Sequence, residues 1–222
     1  MSNITVYVIC EGDTEEAFVK YVLAPYMAEK GIQLYAPRIG KNGHKGGNVS
    51  FVRAKNTIMT LLEQRSNAYV TTLFDYYGIG AGWTGQALIQ ANHTTAKKAG
   101  IMEDAAFDDI CRVCEQAKRR FIPYIVMHEF EGLLFADTEC LACEMNTDKA
   151  ALDAIRASFD TPEDINNSPE TAPSKRLLQL DPSYKKVLSG KVVAEAIGID
   201  GIREKCPLFN SWLAKLEKLP SL

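Results

Sequence analysis

Acidic residues follow two apolar runs of the sequence, at the points where buried strands would end. Residues 4–9 form the first run, after which come Glu11 and then Glu15, in the first turn of a predicted helix. The second run, residues 69–74, stops at Asp75. Because ligands of open α/β sheets bind at the carboxyl edge of the strands, we expect these carboxylates to line one crevice. Carboxylate oxygens suit hard divalent cations, so the pattern predicts a site for Mg²⁺ or Mn²⁺.

A third apolar run, residues 121–127, leads into His128, Glu129 and Glu131. On a strand the two glutamates would share a face, whereas on a helix they would point about 200° apart. If a helix begins at His128, we expect Glu129 to reach the metal and Glu131 to stand behind it as a salt-bridge partner. His128 has two open interpretations, a metal ligand or general base and a structural hydrogen-bonding residue. The candidate metal ligands are Glu11, Glu15, Asp75, Glu129 and Glu131.

The acidic residues of the first helix also have a purely structural explanation. Asp13 or Thr14 would cap this helix, and Glu15 and Glu16 would complement its dipole. This explanation does not extend to Glu11, which precedes the cap at a position where a carboxylate has no local role.

The elements that position these residues alternate between strand and helix. This order predicts an α/β fold, with a mostly parallel sheet flanked by helices, over residues 1–130. The predicted strands are residues 4–10, 33–38, 69–74 and 121–127, and the predicted helices are residues 15–30, 49–64 and 103–119. Short helical patterns separated by prolines predict a helical region, residues 131–222, packed against this core. These patterns cover residues 131–136, 138–145, 149–158, 174–180, 191–197, 201–205 and 208–219.

The overall composition excludes several classes of protein. The 222 residues carry a formal net charge of −3, so a polyanion site would need a local basic patch. Apolar runs are far shorter than the roughly 20 residues that cross a bilayer, and no cleavable export signal is visible. We therefore expect a cytoplasmic protein with no membrane partner. The glycines within residues 78–85 are interpreted as a mobile loop beside the site. They lack the dinucleotide fingerprint, and no Walker A lysine motif occurs, so no nucleotide cofactor is expected.

Two cysteine pairs, Cys111 with Cys114 and Cys140 with Cys143, have a spacing that also occurs in zinc sites. The separation between the pairs is longer than in the usual zinc ribbon, and neither pair has turn residues beside it. We favour small apolar residues on buried helix faces over structural zinc ligands.

Basic residues suited to phosphate occur in two places. Lys175 and Arg176 follow a Pro-Ser dipeptide that would present them rigidly at the start of a short helix. Arg38 and Lys45 belong to a basic stretch between the second strand and the second helix. We expect all four to contact phosphate or nucleic acid, with an exposed helix start as the alternative for Lys175 and Arg176.

The Glu-Gly-x-Thr-Glu pattern at residues 11–15, taken with Asp75, resembles the Toprim fold of topoisomerases, primases and overcoming-lysogenization-defect nucleases. In those domains a glutamate ends the first strand, an Asp-x-Asp ends a later one, and together they hold Mg²⁺. The resemblance implies this role for Glu11 and Asp75. It also suggests Lys175 as a lysine outside the core, as those nucleases have. One departure is that Tyr77 replaces the second aspartate, so Glu129 or Glu131 would have to substitute for it.

A longer pattern resembles a bacterial family of domains of unknown function with a Toprim-like core. Its motifs here are Asp-Tyr-Tyr-Gly at 75–78, His-Glu-Phe-Glu at 128–131, Pro-Glu-x-Ile-Asn at 162–166, Pro-Ser-Lys-Arg at 173–176 and Cys-Pro-x-Phe-x-x-Trp at 206–212. Members of that family are found beside ATPases of the ABC or structural-maintenance (SMC) type in phage-defence loci. The resemblance therefore implies such an ATPase as a partner.

Three classes of function follow from these features. The first is a Mg²⁺-dependent nuclease acting on DNA or RNA, with Glu11, Asp75, His128 and Lys175 as catalytic residues. The second is a non-catalytic Toprim-like module that binds a partner ATPase or nucleic acid, which the missing aspartate favours. The third is a small-molecule phosphotransfer enzyme or hydrolase that uses the same acids.

Overall fold

A parallel β-sheet forms the centre of the protein. The computed structural model describes residues 4–39, 48–166 and 169–220. The strands are β1 (Ile4–Cys10), β2 (Ile32–Tyr35), β3 (Ala68–Asp75), β4 (Phe121–Ile122) and β5 (Ile125–Val126). They are ordered β2-β1-β3-β4, β5 also pairs with β3, and every pairing is parallel. The predicted α/β fold with a parallel sheet is confirmed, and it is consistent with a Toprim-like architecture.

Strand β3 lies in the middle of the sheet and is buried along nearly its whole length. Its continuous apolar character is typical of parallel strands covered on both faces. Two buried hydroxyls within it are satisfied, since Thr71 donates to the Ile122 carbonyl and Thr72 donates to the Tyr124 carbonyl. These bonds fasten β3 to the bend between β4 and β5. The prediction of one strand over residues 121–127 is wrong, because Pro123 has no N–H for the ladder and splits it.

Helices cover both faces of the sheet. On one face α1 (Asp13–Phe18) continues through a π-helical segment (Val19–Leu23) into α2 (Ala24–Ala28). The other face carries α3 (Phe51–Gln64), α4 (Thr95–Cys111) and α5 (Ala117–Arg120).

Capping decides where two of these helices begin. Ser50 accepts a hydrogen bond from the backbone of Arg53 at the start of α3. Thr94 does the same for α4, which therefore starts eight residues before the helix predicted at 103–119. Along α3 the side chain of Ile58 is buried against the sheet, whereas that of Val52 is exposed.

The rest of the chain is helical and shares a core with the sheet. The helices are α6 (Glu131–Leu134), α7 (Thr138–Met145), α8 (Lys149–Arg156), α9 (Pro173–Leu180), α10 (Lys186–Lys205) and α11 (Pro207–Glu217). Helix α10 bends at Gly198, whose φ of 74° is left-handed. Trp212 of α11 stacks on Tyr124, with ring centroids 4.5 Å apart, and donates from its indole N–H to Thr71. The carboxyl-terminal helices therefore pack directly against β3.

The glycine-rich segment after β3 is anchored by one aromatic side chain. Trp83 is buried and packs edge-on against Phe51 of α3 and Phe74 of β3. A short 3₁₀ helix, Gln86–Leu88, follows it. No helix in the described part of the chain has the length and apolar character to span a bilayer.

Candidate active site

Two strand ends bring Glu11 and Asp75 together. Strands β1 and β3 are neighbours, and Cys10 is in register with Leu73, so the residues that follow both strands lie at one edge. The Asp75 backbone N–H donates to Oε2 of Glu11 over 3.3 Å. Gly78 packs against the same carboxylate, and a Cβ at this position would lie 1.9 Å from Oε2. Only glycine leaves room for Glu11 in this place.

Asp75 is held in a strongly acidic environment. Its Oδ1 accepts a hydrogen bond from the Phe130 backbone N–H at 2.9 Å. Burial raises the pKa of Asp75 well above its ordinary value, and the negative charges of Glu15 and Glu11 raise it further. The structure therefore places a buried carboxylate where additional positive charge would be stabilising.

Glu129 and Glu131 face a common lysine. Nζ of Lys186 lies 3.5 Å from Oε1 of Glu129 and 3.4 Å from Oε1 of Glu131. Glu129 also accepts a hydrogen bond from the Ser174 backbone N–H at 2.9 Å. The helix begins at Glu131 and not at His128. The two glutamates therefore do not lie on one helix, where they would point about 200° apart.

The charges of this group depend on one another. Burial raises the pKa of Glu131 to about 7, although Lys186 opposes that rise. Burial acts to lower the pKa of Lys186, but the carboxylates of Glu131 and Glu129 outweigh it and the pKa is raised. Lys186 is therefore a stable cation at neutral pH. We call Glu11, Asp75, Glu129 and Glu131 the acid cluster.

Glu15 has the structural role that the sequence left open as an alternative. It is buried, and its Oε2 accepts a hydrogen bond from the Gly12 backbone N–H at 2.8 Å, at the start of α1. Gly12, and neither Asp13 nor Thr14, is the N-cap residue. Burial raises the pKa of Glu15 although these backbone bonds oppose it, and its charge acts on Asp75. Glu15 thus borders the acid cluster while capping its own helix.

His128 is a buried, neutral side chain. Its φ of 65° is left-handed, and its ring packs against Tyr76 and Tyr77 at centroid distances of 6.0 and 5.6 Å. Burial, and then the positive charge of Lys98, lowers its pKa to about 4. Nδ1 finds no hydrogen-bond partner among the residues that the structure describes. At neutral pH His128 is therefore a weak base.

The predicted phosphate-binding residues have other contacts. Arg38 forms ion pairs with Asp13 and, at 3.1 Å, with Glu16. Arg176 donates to the Thr171 carbonyl at 2.7 Å. Lys175 is exposed, and within the described ranges it has no side-chain hydrogen bond or ion pair. Lys45 lies outside the described residues.

Sequence reasoning missed the lysine that contacts the acid cluster. Lys186 precedes the helix predicted at 191–197 and belongs to no motif, so nothing local distinguishes it from Lys185. The same reasoning missed Tyr184, whose buried hydroxyl has no hydrogen-bond partner in the described part of the chain. Burial raises the pKa of Tyr184, and the negative charges of Glu131 and Glu129 raise it further, so this hydroxyl belongs to the surroundings of the acid cluster.

The donor chemistry of the acid cluster fits a hard divalent cation. Glu11 and Asp75 supply carboxylate oxygens from adjacent strands, and Glu129 and Glu131 supply more from the next strand end. Among described residues, no group of three or more histidine, cysteine, aspartate and glutamate side chains stands in a metal-ligating arrangement. Holding a cation would therefore need side-chain movement, with Glu11 and Asp75 the best placed to share it.

The cysteine pairs lie apart from this edge. Cys111 is the last residue of α4 and Cys114 follows it, whereas Cys140 and Cys143 belong to α7. A cleft of about 570 Å³ lies elsewhere, between the start of α4, residues 158–164 and the start of α11. It is lined by Glu163 and Asp164, and its described lining includes no member of the acid cluster.

Comparison of the chain with models of known protein families identifies its family. A family model described as "Domain of unknown function (DUF4276)" matches residues 10–217, which is nearly the whole chain. No curated protein and no solved structure matches it.

Proposed function

We propose that this chain, which belongs to the DUF4276 family, is a divalent-metal-dependent nuclease that hydrolyses phosphodiester bonds of DNA or RNA. The observation that carries the proposal is the convergence of the acid cluster from three strand ends onto one edge, with the pKa of Asp75 raised well above its ordinary value. Sites with several carboxylates and too few cations are typical of metal-dependent phosphoryl chemistry.

Each residue would have a defined task in this reaction. Glu11 and Asp75 would hold Mg²⁺ or Mn²⁺, which polarises the phosphate and lowers the pKa of a bound water when present. Gly78 and the Asp75 backbone N–H fix the Glu11 carboxylate. The positive charge of Lys186, beside Glu129 and Glu131, would stabilise charge that develops on the phosphate.

The finer assignment to Toprim-like chemistry is part of the proposal. Tyr77 stands where that fold has a second aspartate, and Glu129 or Glu131 supplies the substitute carboxylate. We further propose a cytoplasmic role in phage defence, together with an ATPase of the ABC or SMC type. An ATPase partner agrees with the absence of a Walker A motif in this chain.

Cleavage assays test the proposal directly. Purified protein is incubated with plasmid DNA, single-stranded DNA and RNA in Mg²⁺ or Mn²⁺, with and without the neighbouring ATPase. We expect metal-dependent cleavage that a chelator removes and that Asp75→Asn reduces roughly 10²–10³-fold. Glu139→Gln, which changes an exposed carboxylate on α7, is the matched control and should cleave normally. Cleavage by Asp75→Asn at the wild-type rate would show that another site, or a contaminant, is responsible.

A non-catalytic binding module is the second candidate. It is favoured by Lys186, which already balances Glu129 and Glu131, and by the lack of a formed three-ligand metal site among the described residues. This function predicts binding of nucleic acid or of the ATPase without cleavage in any metal.

A further inference from the structure

Lys186 occupies the outer side of the acid cluster. Its side chain is 44% exposed, whereas that of Glu131 beneath it is only 1% exposed. Glu129 is 14% exposed and contacts the same Nζ. A cation that approaches these two carboxylates from solvent therefore meets Lys186 first.

The position of Lys186 is unfavourable for its own helix. It is the first residue of α10, and the first turn of this helix has no acidic residue and no side-chain N-cap. A lysine at a helix N-terminus is repelled by the positive end of the helix dipole. The contacts with Glu129 and Glu131 offset this repulsion. The two carboxylates therefore stabilise the charge of Lys186, and Lys186 stabilises theirs.

We infer that Lys186 is an internal counter-ion of the acid cluster. Its ammonium group neutralises Glu129 and Glu131 until a divalent metal ion held by Glu11 and Asp75 takes one of these glutamates as a further ligand and displaces the ammonium group, which is then free to contact phosphate. This inference rests on the proposed function of the same site. A lysine suits such an exchange, because its ammonium is a compact charge on a flexible stem.

The Tyr184 hydroxyl supports the exchange. It is buried two residues before Lys186, it has no hydrogen-bond partner among the described residues, and its pKa responds to Glu131 and Glu129. The resting arrangement thus leaves one donor unused beside the carboxylates. When Lys186 moves away, this hydroxyl is available to them.

Calorimetry with Mn²⁺ at pH 8 tests the inference on the full chain. Lys186→Met removes the competing charge at nearly constant shape, so we expect Mn²⁺ to bind about tenfold more tightly. Cleavage should nevertheless fall, because the phosphate contact is lost. Lys186→Arg keeps the charge and should not tighten Mn²⁺ binding. Lys185→Met, at the neighbouring exposed lysine, is the control and should leave Mn²⁺ affinity unchanged.

A measurement on the unmodified chain guards against a misfolded variant. Amine-acetylating reagent followed by mass spectrometry compares Lys186 with Lys185, with and without Mn²⁺. Displacement predicts that Mn²⁺ raises the labelling rate of Lys186 severalfold while that of Lys185 stays constant. Unchanged or slower labelling of Lys186 would overturn the inference.

The outcomes separate this inference from the proposed function. Tighter Mn²⁺ binding by Lys186→Met in a protein that never cleaves supports the counter-ion and defeats the nuclease. Cleavage by the wild-type chain, with unchanged Mn²⁺ affinity in Lys186→Met, supports the nuclease and defeats the counter-ion. Absence of Mn²⁺ binding in both proteins defeats the two together.

Discussion

Two regions of the molecule bury carboxylates in different ways. In the acid cluster, four carboxylates lie near one another, and Lys186 is in contact with two of them. The second region comprises Glu163 and Glu103, which meet backbone donors and form no ion pair among the described residues. Glu163 accepts from the N–H groups of Leu208 and Phe209, both at 2.8 Å, and Glu103 accepts from Ile125 at 3.1 Å.

The difference shows that a raised pKa alone does not identify a functional site. Burial raises the pKa of Glu163, Glu103 and Glu131 alike to about 7. Glu163 caps the start of α11 and Glu103 secures β5, so their carboxylates have structural partners. The acid cluster differs because its members also raise the pKa of Asp75. Repulsion from several neighbouring carboxylates, added to burial, marks the edge at which a metal ion would bind.

The largest expected effect comes from removing charge in the acid cluster. Asp75→Asn or Glu11→Gln should reduce cleavage roughly 10²–10³-fold, because each removes a group that would stabilise the reacting centre. Glu103→Gln, which also neutralises a buried carboxylate, should cleave at the wild-type rate below its unfolding temperature. Initial rates, with circular dichroism to confirm folding, provide the test. Equal losses of cleavage rate in all three variants would show that the acid cluster is no more important for cleavage than the buried Glu103.

The second prediction concerns the pH dependence of stability. The pKa of Glu163 is about 7 in the folded chain and 4.5 ordinarily, so the unfolded chain releases its proton first. This contribution to stability is present below pH 4.5 and is lost as pH rises to about 7. Glu163→Gln should remove about 3 kcal/mol of that decline. Urea unfolding at pH 5 and pH 8 measures it, and parallel declines in both proteins would contradict the assignment.

A third prediction uses two glycines. Gly78→Ala should reduce cleavage with little loss of stability, because its Cβ would push aside the Glu11 carboxylate, which is the end of a flexible side chain. Gly100→Ala, in the interior of α4, is the matched control, since a Cβ there meets no atom within 4 Å. Alanine at that position should stabilise the helix by about 0.5–1 kcal/mol. Thermal unfolding and cleavage rates would show whether the two substitutions differ in this way.

The smallest expected effect is that of Lys175. The sequence motif predicts a catalytic role, but the exposed position of the side chain leads us to expect less than a roughly threefold loss of cleavage in Lys175→Ala. Lys186→Met should lose far more. A larger loss in Lys175→Ala than in Lys186→Met would restore the assignment made from the motif. Single-turnover rates at saturating nucleic acid compare the two.

The sequence was most informative where local patterns are sufficient. Apolar runs ending in Glu11 and Asp75 revealed two neighbouring strand ends, because strand burial leaves a direct record in composition. Lys186 left no such record, since its role depends on how α10 packs. The helix predicted at 191–197 starts after Gly190, yet Gly190 lies inside α10. A Cβ at this position would lie 3.3 Å from atoms of Phe130 and Tyr184. Close packing, which the sequence does not display, favours glycine at this position.

The hydrogen bond between Trp212 and Thr71 joins two residues that the ribosome makes at different times. The two residues are 141 positions apart. At roughly 5–20 residues per second, a ribosome makes them about 7–28 seconds apart. Contacts over such separations also form late, because a long loop has to close first. Strand β3 is therefore synthesised well before Trp212, whose indole N–H completes the hydrogen bonding of the buried Thr71 hydroxyl.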